Sequence, residues 1–285
     1  MPVNEEDIAT LTAMGFSADL AREALTVSSG NMEAAVNYIL GGGAGAGAGV
    51  APTAVVAAEP PPGAAAVSAK ADGGLLRCSR SQYSVDQGRS ACTCIALTAA
   101  TKFLQDTNVT SEFLEEMITQ GVSNYQQLMH QSASEIEHLS AEEVLQKDSS
   151  KTIFPLQSLP GGIRQGILSK DDFNHPMGLK AMLEGLKSDQ PRQSWMAVLI
   201  TKTPETVLVC FPPDSARPSS YWLIDSHPRP QLGVESAYAK LHPSLDALWM
   251  SLQAIFPCTD LGPGVREMMA MMYNSFDLYP LLLSS

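Results

Sequence analysis

A segment rich in glycine, alanine and proline divides this 285-residue chain and limits what can fold on either side of it. From Gly41 to Gly74, 25 of 34 residues are of these three types, and no aromatic residue occurs. Such a composition cannot bury enough apolar surface to offset the entropy lost on ordering, so residues 41–74 are predicted to form a flexible linker. By chain statistics the ends of this linker would lie about 30–35 Å apart. We therefore expect a small module over residues 1–40 and a larger domain over residues 75–285.

The small module carries apolar residues at the spacing of three short helices. Glu5–Met14 predicts the first helix, which stops at Gly15. Leu25 belongs to the second helix, and Asn31 is placed to cap the third. So small a core needs nearly every apolar side chain for folding.

Two motifs in this module, Met-Gly-Phe at 14–16 and Gly-Asn-Met-Glu-Ala-Ala at 30–35, resemble those of the ubiquitin-associated (UBA) domain. In that family the first motif and the end of the third helix form an exposed apolar patch that binds ubiquitin. The resemblance implies that the ubiquitin-binding residues here are Met14, Gly15, Phe16 and Leu40. The alternative is that Phe16 and Leu40 are ordinary core residues of a three-helix bundle.

The larger domain has helices first and strands later, an order typical of α+β folds rather than of alternating βαβ units. The predicted helices are Ala91–Leu104, Ser111–Met129, Ser134–Leu145, Gly178–Lys187 and Leu245–Ile255. The predicted strands, rich in β-branched and aromatic residues, are Ser194–Thr201, Val207–Phe211 and Tyr221–Asp225. The methionine pairs at 268–269 and 271–272 suggest an adaptable apolar surface or packing in a helical core, and we expect the core.

Reactive side chains concentrate in two places, and the first is a polar loop with a glycine that runs into a helix at Cys92. Unpaired N–H groups and the helix dipole at this position favour a thiolate. Cys94 points to another side of the helix, and we expect it in the core. The alternative is that both cysteines are inert packing groups.

The second place is the end of the last predicted strand, where Asp225 is followed by His227. A strand has a period of two, so the two side chains project from one face and the carboxylate is able to orient the imidazole. The alternative is a histidine at a loop end, bonded to an ordinary aspartate.

Taken together, the two places match a nucleophilic cysteine at a helix start with its histidine supplied later by the sheet. Cys92 and His227 are 135 residues apart, within the spacing of papain-like enzymes. The competing interpretation is a metal site built from Cys92, Cys94, Asp225 and His227. It is disfavoured because Cys-x-Cys is not the usual zinc spacing and adjacent helix positions diverge.

These motifs resemble the papain-like deubiquitinase domain of herpesvirus large tegument proteins and their cellular and bacterial relatives. The resemblance rests on Gly-Arg before Cys92 and on Asp-Ser-His-Pro-Arg at 225–229, and Ala91 departs from the glutamine of the viral motif. It implies a papain-like cysteine protease domain, with a helical part and an antiparallel sheet. The catalytic residues it implies are Cys92, His227 and Asp225, with either Gln82 or Gln87 as the oxyanion donor.

The net charge and the number of cysteines limit which binding partners and which cellular compartment we expect. The net charge of −12, from 18 basic and 30 acidic residues, argues against nucleic acid and anionic membranes as partners. The acidic start is unlike a secretory or mitochondrial leader, and five cysteines without a framework spacing predict reduced thiols. We therefore expect a cytoplasmic or nuclear protein.

The sequence thus predicts a cysteine deubiquitinase that needs no cofactor and no metal, with ubiquitin and polyubiquitin chains as partners. Two alternatives remain. One is a ubiquitin receptor without catalytic activity. The other is a cysteine enzyme that acts on a ubiquitin-like modifier or transfers an acyl group.

Overall fold

The computed structural model describes residues 4, 7–8, 18–28, 35, 74–131, 139–188, 191–216, 219–262, 265 and 267–284. The chain divides into two compact units, Met1–Ala69 and Lys70–Ser285. Residues 41–73 of the predicted linker lie outside the described residues, as do the predicted ubiquitin-binding residues Met14, Gly15, Phe16 and Leu40. The domain limits at 40 and 74 stay predictions.

The described part of the first unit contains helix α1, Ala18–Val27. Ala21, Ala24 and Leu25 of this helix are fully buried, as expected for one apolar face at helical spacing. Ile8 and Ala35, which lie outside α1, are also buried.

The second unit mixes helices with an antiparallel sheet. Its helices are α2 Cys92–Gln105, α3 Ser111–Gln131, α4 Ala141–Gln146, α5 Asp148–Ile153, α6 Leu179–Ser188, α7 Leu245–Ile255 and α8 Glu267–Tyr273. Its strands are β1 Leu75–Arg77, β2 Leu156–Ser158, β3 Arg164–Ile167, β4 Met196–Lys202, β5 Glu205–Phe211, β6 Tyr221–Asp225, β7 Tyr238–His242 and β8 Ser275–Leu283. Over the described ranges, none of the helices combines the length and apolar character that crossing a bilayer requires.

The strands form one sheet in the order β1-β7-β6-β5-β4-β8-β2, and β3 pairs with β8 beside this path. All the pairs are antiparallel. Strands β4 to β7 follow one another as a meander, whereas β8 returns to the other side of β4. The predicted α+β class, with a helical part and an antiparallel sheet, is confirmed.

Helices cover both faces of the sheet because its central strands are apolar on both sides. In β4, Ala197 and Leu199 belong to a core shared with α2 and α3. Met196, Val198 and Ile200 alternate with them and belong to a second core, shared with α6 and α7.

Helix α2 is held close to the sheet and to α3, and this contact fixes where its N-terminus lies. A Cβ atom on Gly121 of α3 would lie 2.5 Å from the Cα of Ile95, so only glycine permits this approach. In the first turn of α2, the Thr93 hydroxyl lies 3.2 Å from the Thr206 hydroxyl of β5. The first residue of α2, Cys92, is therefore set beside the turn between β4 and β5.

Candidate active site

Cys92 is the first residue of α2 and follows a 3-10 turn over Gly88–Ser90. The first N–H groups of a helix have no partner within it, so they and the helix dipole favour a negative charge here. The Cys92 side chain is nearly covered, with 3% of its surface exposed. Its Sγ lies 3.5 Å from the carbonyl oxygen of Pro204, in the β4–β5 turn.

His227 and Asp225 are bonded to each other at the end of β6, as the strand period predicts. Nδ1 of His227 lies 2.7 Å from Oδ1 of Asp225, and the backbone N–H of His227 donates to the same oxygen at 2.9 Å. Because Nδ1 is engaged by Asp225, Nε2 is the ring nitrogen left to face Cys92, which acts on the pKa of His227. The structure therefore brings together the three side chains that the two sequence motifs supply.

The electrostatics of this buried group favour an imidazolium. Burial raises the pKa of the Asp225 carboxyl, but the charges and hydrogen bonds of His227 and Arg229 bring that pKa below its ordinary value. Burial also disfavours the charged form of His227. The charge and hydrogen bond of Asp225, together with the negative charge of Cys92 and its acceptance of the ring N–H, nevertheless raise the pKa of His227 to about 10.

Gln82 is buried between the loop that precedes Cys92 and the segment that carries His227. Its Oε1 accepts a hydrogen bond from the Ser226 hydroxyl at 2.6 Å, and its Nε2 donates to the Arg89 carbonyl at 3.2 Å. Its backbone N–H donates to the Ser226 carbonyl at 3.1 Å. These contacts orient the amide so that its N–H groups face the loop that leads into Cys92.

Gln87 lies elsewhere in the same loop, with an exposed side chain and a left-handed backbone (φ 58°). The next residue, Gly88, packs so closely that a Cβ atom on it would lie 2.2 Å from the Gln82 carbonyl oxygen. The turn thus carries a strained residue and an obligatory glycine directly before the helix. Of the two candidate oxyanion donors, the structure buries Gln82 beside the reactive group and leaves Gln87 on the surface.

The other cysteines of this region have the surroundings of inert packing groups. Cys94 is buried in the core between α2 and the sheet, and burial raises the pKa of its thiol to about 12. Cys210 in β5 is fully buried, and burial raises the pKa of its thiol as well. Throughout the described part of the chain, no group of three or more His, Cys, Asp or Glu side chains is arranged to hold a metal ion.

Three further residues surround this group, and of these only Arg229 lies in one of the two sequence motifs. Arg229 donates from Nε to Oδ2 of Asp225 at 2.7 Å and from Nη1 to Oε2 of Glu205 at 2.8 Å. The ring of Tyr83 meets that of His227 edge-on, with 5.8 Å between centroids, and Tyr83 is half exposed. The only sequence signals were the arginine two residues after the histidine and the tyrosine next to Gln82.

Comparison with solved structures gives a weak overall similarity. The ubiquitin-specific protease encoded by the murine cytomegalovirus tegument protein M48, solved in complex with a ubiquitin-based suicide substrate, aligns with a TM-score of 0.47 and 15% identity. The alignment covers 73% of this chain and 84% of that chain. No curated protein matches this chain.

Comparison with protein families gives a match in the N-terminal region. The model of the UBA/TS-N domain matches residues 3–39, a span that contains both motifs on which the sequence resemblance rests. The chain therefore carries a UBA domain at its N-terminus.

Proposed function

We propose that this protein is a cysteine deubiquitinase that hydrolyses the bond after the C-terminal glycine of ubiquitin. The observation that carries the proposal is the contact of Cys92, at a helix N-terminus, with a histidine that is bonded to a buried aspartate. The UBA domain supports ubiquitin as the protein that is bound.

In the first step, Nε2 of His227 takes the proton of the Cys92 thiol, and the resulting imidazolium is stabilised by Asp225. The helix N-terminus stabilises the thiolate. The thiolate then attacks the carbonyl carbon of the terminal glycine, and the carbonyl oxygen gains the negative charge of a tetrahedral intermediate.

Two donors are suited to this oxyanion. One is the backbone N–H of Cys92, which has no partner within the helix. The other is Gln82, whose amide nitrogen carries two N–H groups while the Arg89 carbonyl takes up one of them. Because Ser226 already holds Oε1, the amide needs no reorientation when the charge develops.

The intermediate collapses when the imidazolium of His227 gives its proton to the departing lysine amine, and a thioester between ubiquitin and Cys92 remains. His227 then takes a proton from water, which attacks the thioester carbonyl. Breaking the carbon–sulfur bond releases the ubiquitin carboxylate and restores the thiol. No cofactor enters this cycle.

A ubiquitin derivative with an electrophilic C-terminus tests the reaction class, the substrate and the nucleophile together. We expect it to label the wild type and Cys94→Ala, and not Cys92→Ala. Cys94→Ala is the matched control, because both residues are cysteines of the same helix and only Cys92 contacts His227.

Two other outcomes would point to the alternatives. A folded wild type that binds ubiquitin and resists the probe would be a receptor rather than an enzyme. Labelling by probes of a ubiquitin-like modifier, and not by the ubiquitin probe, would assign a different substrate.

A further inference from the structure

Arg229 joins the two halves of the candidate active site. On one side it bonds Asp225, which holds His227. On the other side it bonds Glu205, whose neighbour Pro204 offers its carbonyl to the Cys92 thiol. The contacts therefore close a ring that runs from the nucleophile through the β4–β5 turn and Arg229 to the base.

We propose that Arg229, anchored by Glu205, is a positioning residue that fixes the Asp225 carboxylate and thereby maintains the thiolate–imidazolium pair of Cys92 and His227. The inference rests on the proposed function and extends it to a residue that does not touch the reacting atoms. Its guanidinium supplies the second half of the carboxylate's hydrogen bonding, because Oδ1 serves His227 and Oδ2 serves Arg229.

The backbone of Arg229 is fixed before any substrate arrives. Its N–H donates to the Val234 carbonyl at 2.6 Å, and the Val234 N–H donates back at 3.1 Å. A 3-10 turn at Pro230–Leu232 and the left-handed Gly233 close this short loop. The side chain is buried, and its guanidinium lies 5.9 Å from the ring centre of Phe256.

A comparison with Arg192 separates this arrangement from ordinary structural use of a buried arginine. Arg192 is bonded through Nε, Nη1 and Nη2, to Asp214 and to backbone carbonyls. Within the described residues, Nη2 of Arg229 is buried without a hydrogen-bond partner. A buried donor without a protein partner is costly to stability and calls for an explanation.

The charge balance gives Arg229 a second effect. Asp225 and Glu205 would be two negative charges beside the pair if the guanidinium were removed. A fully buried carboxylate that loses a positive neighbour becomes easier to protonate, and a protonated Asp225 no longer stabilises the imidazolium. The other titratable groups around the pair are Tyr83 beside His227, Tyr238 opposite Asp225 in the sheet, and Cys94.

The test compares Arg229→Met and Arg229→Lys with Arg192→Met in the full chain. The rate of Cys92 alkylation by iodoacetamide is followed against pH by peptide mass spectrometry, and kcat and KM are measured on a ubiquitin reporter. For Arg229→Met we expect the alkylation midpoint to lie at higher pH than in the wild type, because the thiolate would lose part of the support of the imidazolium. We expect kcat to fall about 10–100-fold, which is the usual loss when a residue that orients a functional side chain, such as a metal ligand, is removed. KM should remain nearly unchanged.

The conservative variant and the control make the result specific. Arg229→Lys keeps the positive charge but cannot bond Asp225 and Glu205 with the geometry of a guanidinium. The alkylation midpoint and kcat of this variant should therefore lie between those of Arg229→Met and the wild type. Arg192→Met loses a comparably buried arginine and should keep the wild-type pH midpoint and kcat, even if its stability falls. An Arg229→Met variant that matches Arg192→Met in both readouts would overturn the inference.

Two measurements keep the test decisive. If Arg229→Met fails to fold, Glu205→Ala takes its place, because it releases only Nη1 of Arg229. Glu205→Ala should shift the alkylation midpoint in the same direction. An unshifted midpoint in Glu205→Ala would also overturn the inference. Alkylation of Cys92 needs no ubiquitin. A wild type that ignores the ubiquitin probe therefore overturns the proposed function, while the alkylation profile still decides the role of Arg229.

Discussion

Asp225 Oδ1 accepts two hydrogen bonds from His227, one from ring Nδ1 at 2.7 Å and one from the backbone N–H at 2.9 Å. The double contact fixes both the position of the strand end and the orientation of the imidazole. It also determines the tautomer, because a ring nitrogen that faces a carboxylate carries its proton. The other nitrogen is thereby available to the thiol of Cys92.

Asp225→Asn should preserve the fold and lower kcat by orders of magnitude. The amide occupies the same space, but it carries no charge to stabilise the imidazolium and it is able to favour the wrong tautomer. The measurement is single-turnover cleavage of a ubiquitin reporter, with circular dichroism to verify folding. Near-normal cleavage by a folded Asp225→Asn protein would remove this residue from the mechanism.

The raised pKa of His227 predicts how stability depends on pH. In the unfolded chain the imidazole has its ordinary pKa near 6.5, whereas in the folded protein the pKa is about 10. The folded state therefore binds the proton more tightly, and this stabilisation is complete below about pH 6.5 and lost as the pH rises through about 10. Urea unfolding of the wild type and of His227→Gln should give free energies that converge over this interval. A constant difference between the two proteins would contradict the shift.

Gln82→Ala and Gln87→Ala form a matched pair, because they remove the same amide from two positions of one loop. We expect Gln82→Ala to lower kcat about 10²–10³-fold, the usual loss for one oxyanion donor. Gln87→Ala should stay near the wild type, because that side chain is exposed. Equal, mild effects in steady-state kinetics would mean that neither amide serves.

Gly88→Ala should lower both activity and stability without touching a catalytic group. Its Cβ would lie 2.2 Å from the Gln82 carbonyl oxygen, so the loop before Cys92 would have to shift. Gly185→Ala is the control, since the nearest atom to its Cβ is the tip of the Arg164 side chain at 3.8 Å. Thermal unfolding and reporter cleavage of the two variants decide the point. A Gly88→Ala protein as active and stable as Gly185→Ala would refute it.

The parts of the site that sequence reasoning captured are those controlled by local periodicity. The two-residue repeat of a strand places Asp225 beside His227, and a glycine loop before a small-residue helix places Cys92 at a helix start. The choice between Gln82 and Gln87 was left open because it depends on Ser226, which is 144 residues from Gln82 along the chain. The bond from Arg229 to Glu205 depends in the same way on a contact between distant segments.

The fold departs from expectation near the C-terminus. Strand β8 was not predicted, because Pro280 lies inside it and proline is disfavoured in strand interiors. Pro280 nevertheless pairs with Val198, and β8 lies between β4 and β2. The prediction that the four methionines at 268–269 and 271–272 pack in a core is wrong for three of them. The exposed methionines are Met268, Met271 and Met272.

The UBA domain and the predicted linker after it should affect the binding of ubiquitin chains rather than the chemical step. Under the proposed function, a linker with the predicted reach would allow the UBA domain to hold one ubiquitin of a chain while the proposed catalytic domain engages its neighbour. Such tethering gives effective concentrations on the order of mM, enough for a small patch of weak intrinsic affinity. Deleting residues 1–43, or combining Phe16→Ala with Leu40→Ala, should therefore raise KM for polyubiquitin chains.

The same changes should leave kcat and the cleavage of a monoubiquitin reporter almost unchanged, because Cys92, Asp225 and His227 all lie in the unit Lys70–Ser285. The reporter is thus the internal control for damage to this unit. Steady-state kinetics on chains and reporter, measured side by side, separate the two effects. If the truncated protein kept the wild-type KM on chains, the UBA domain would serve localisation or another partner rather than substrate binding.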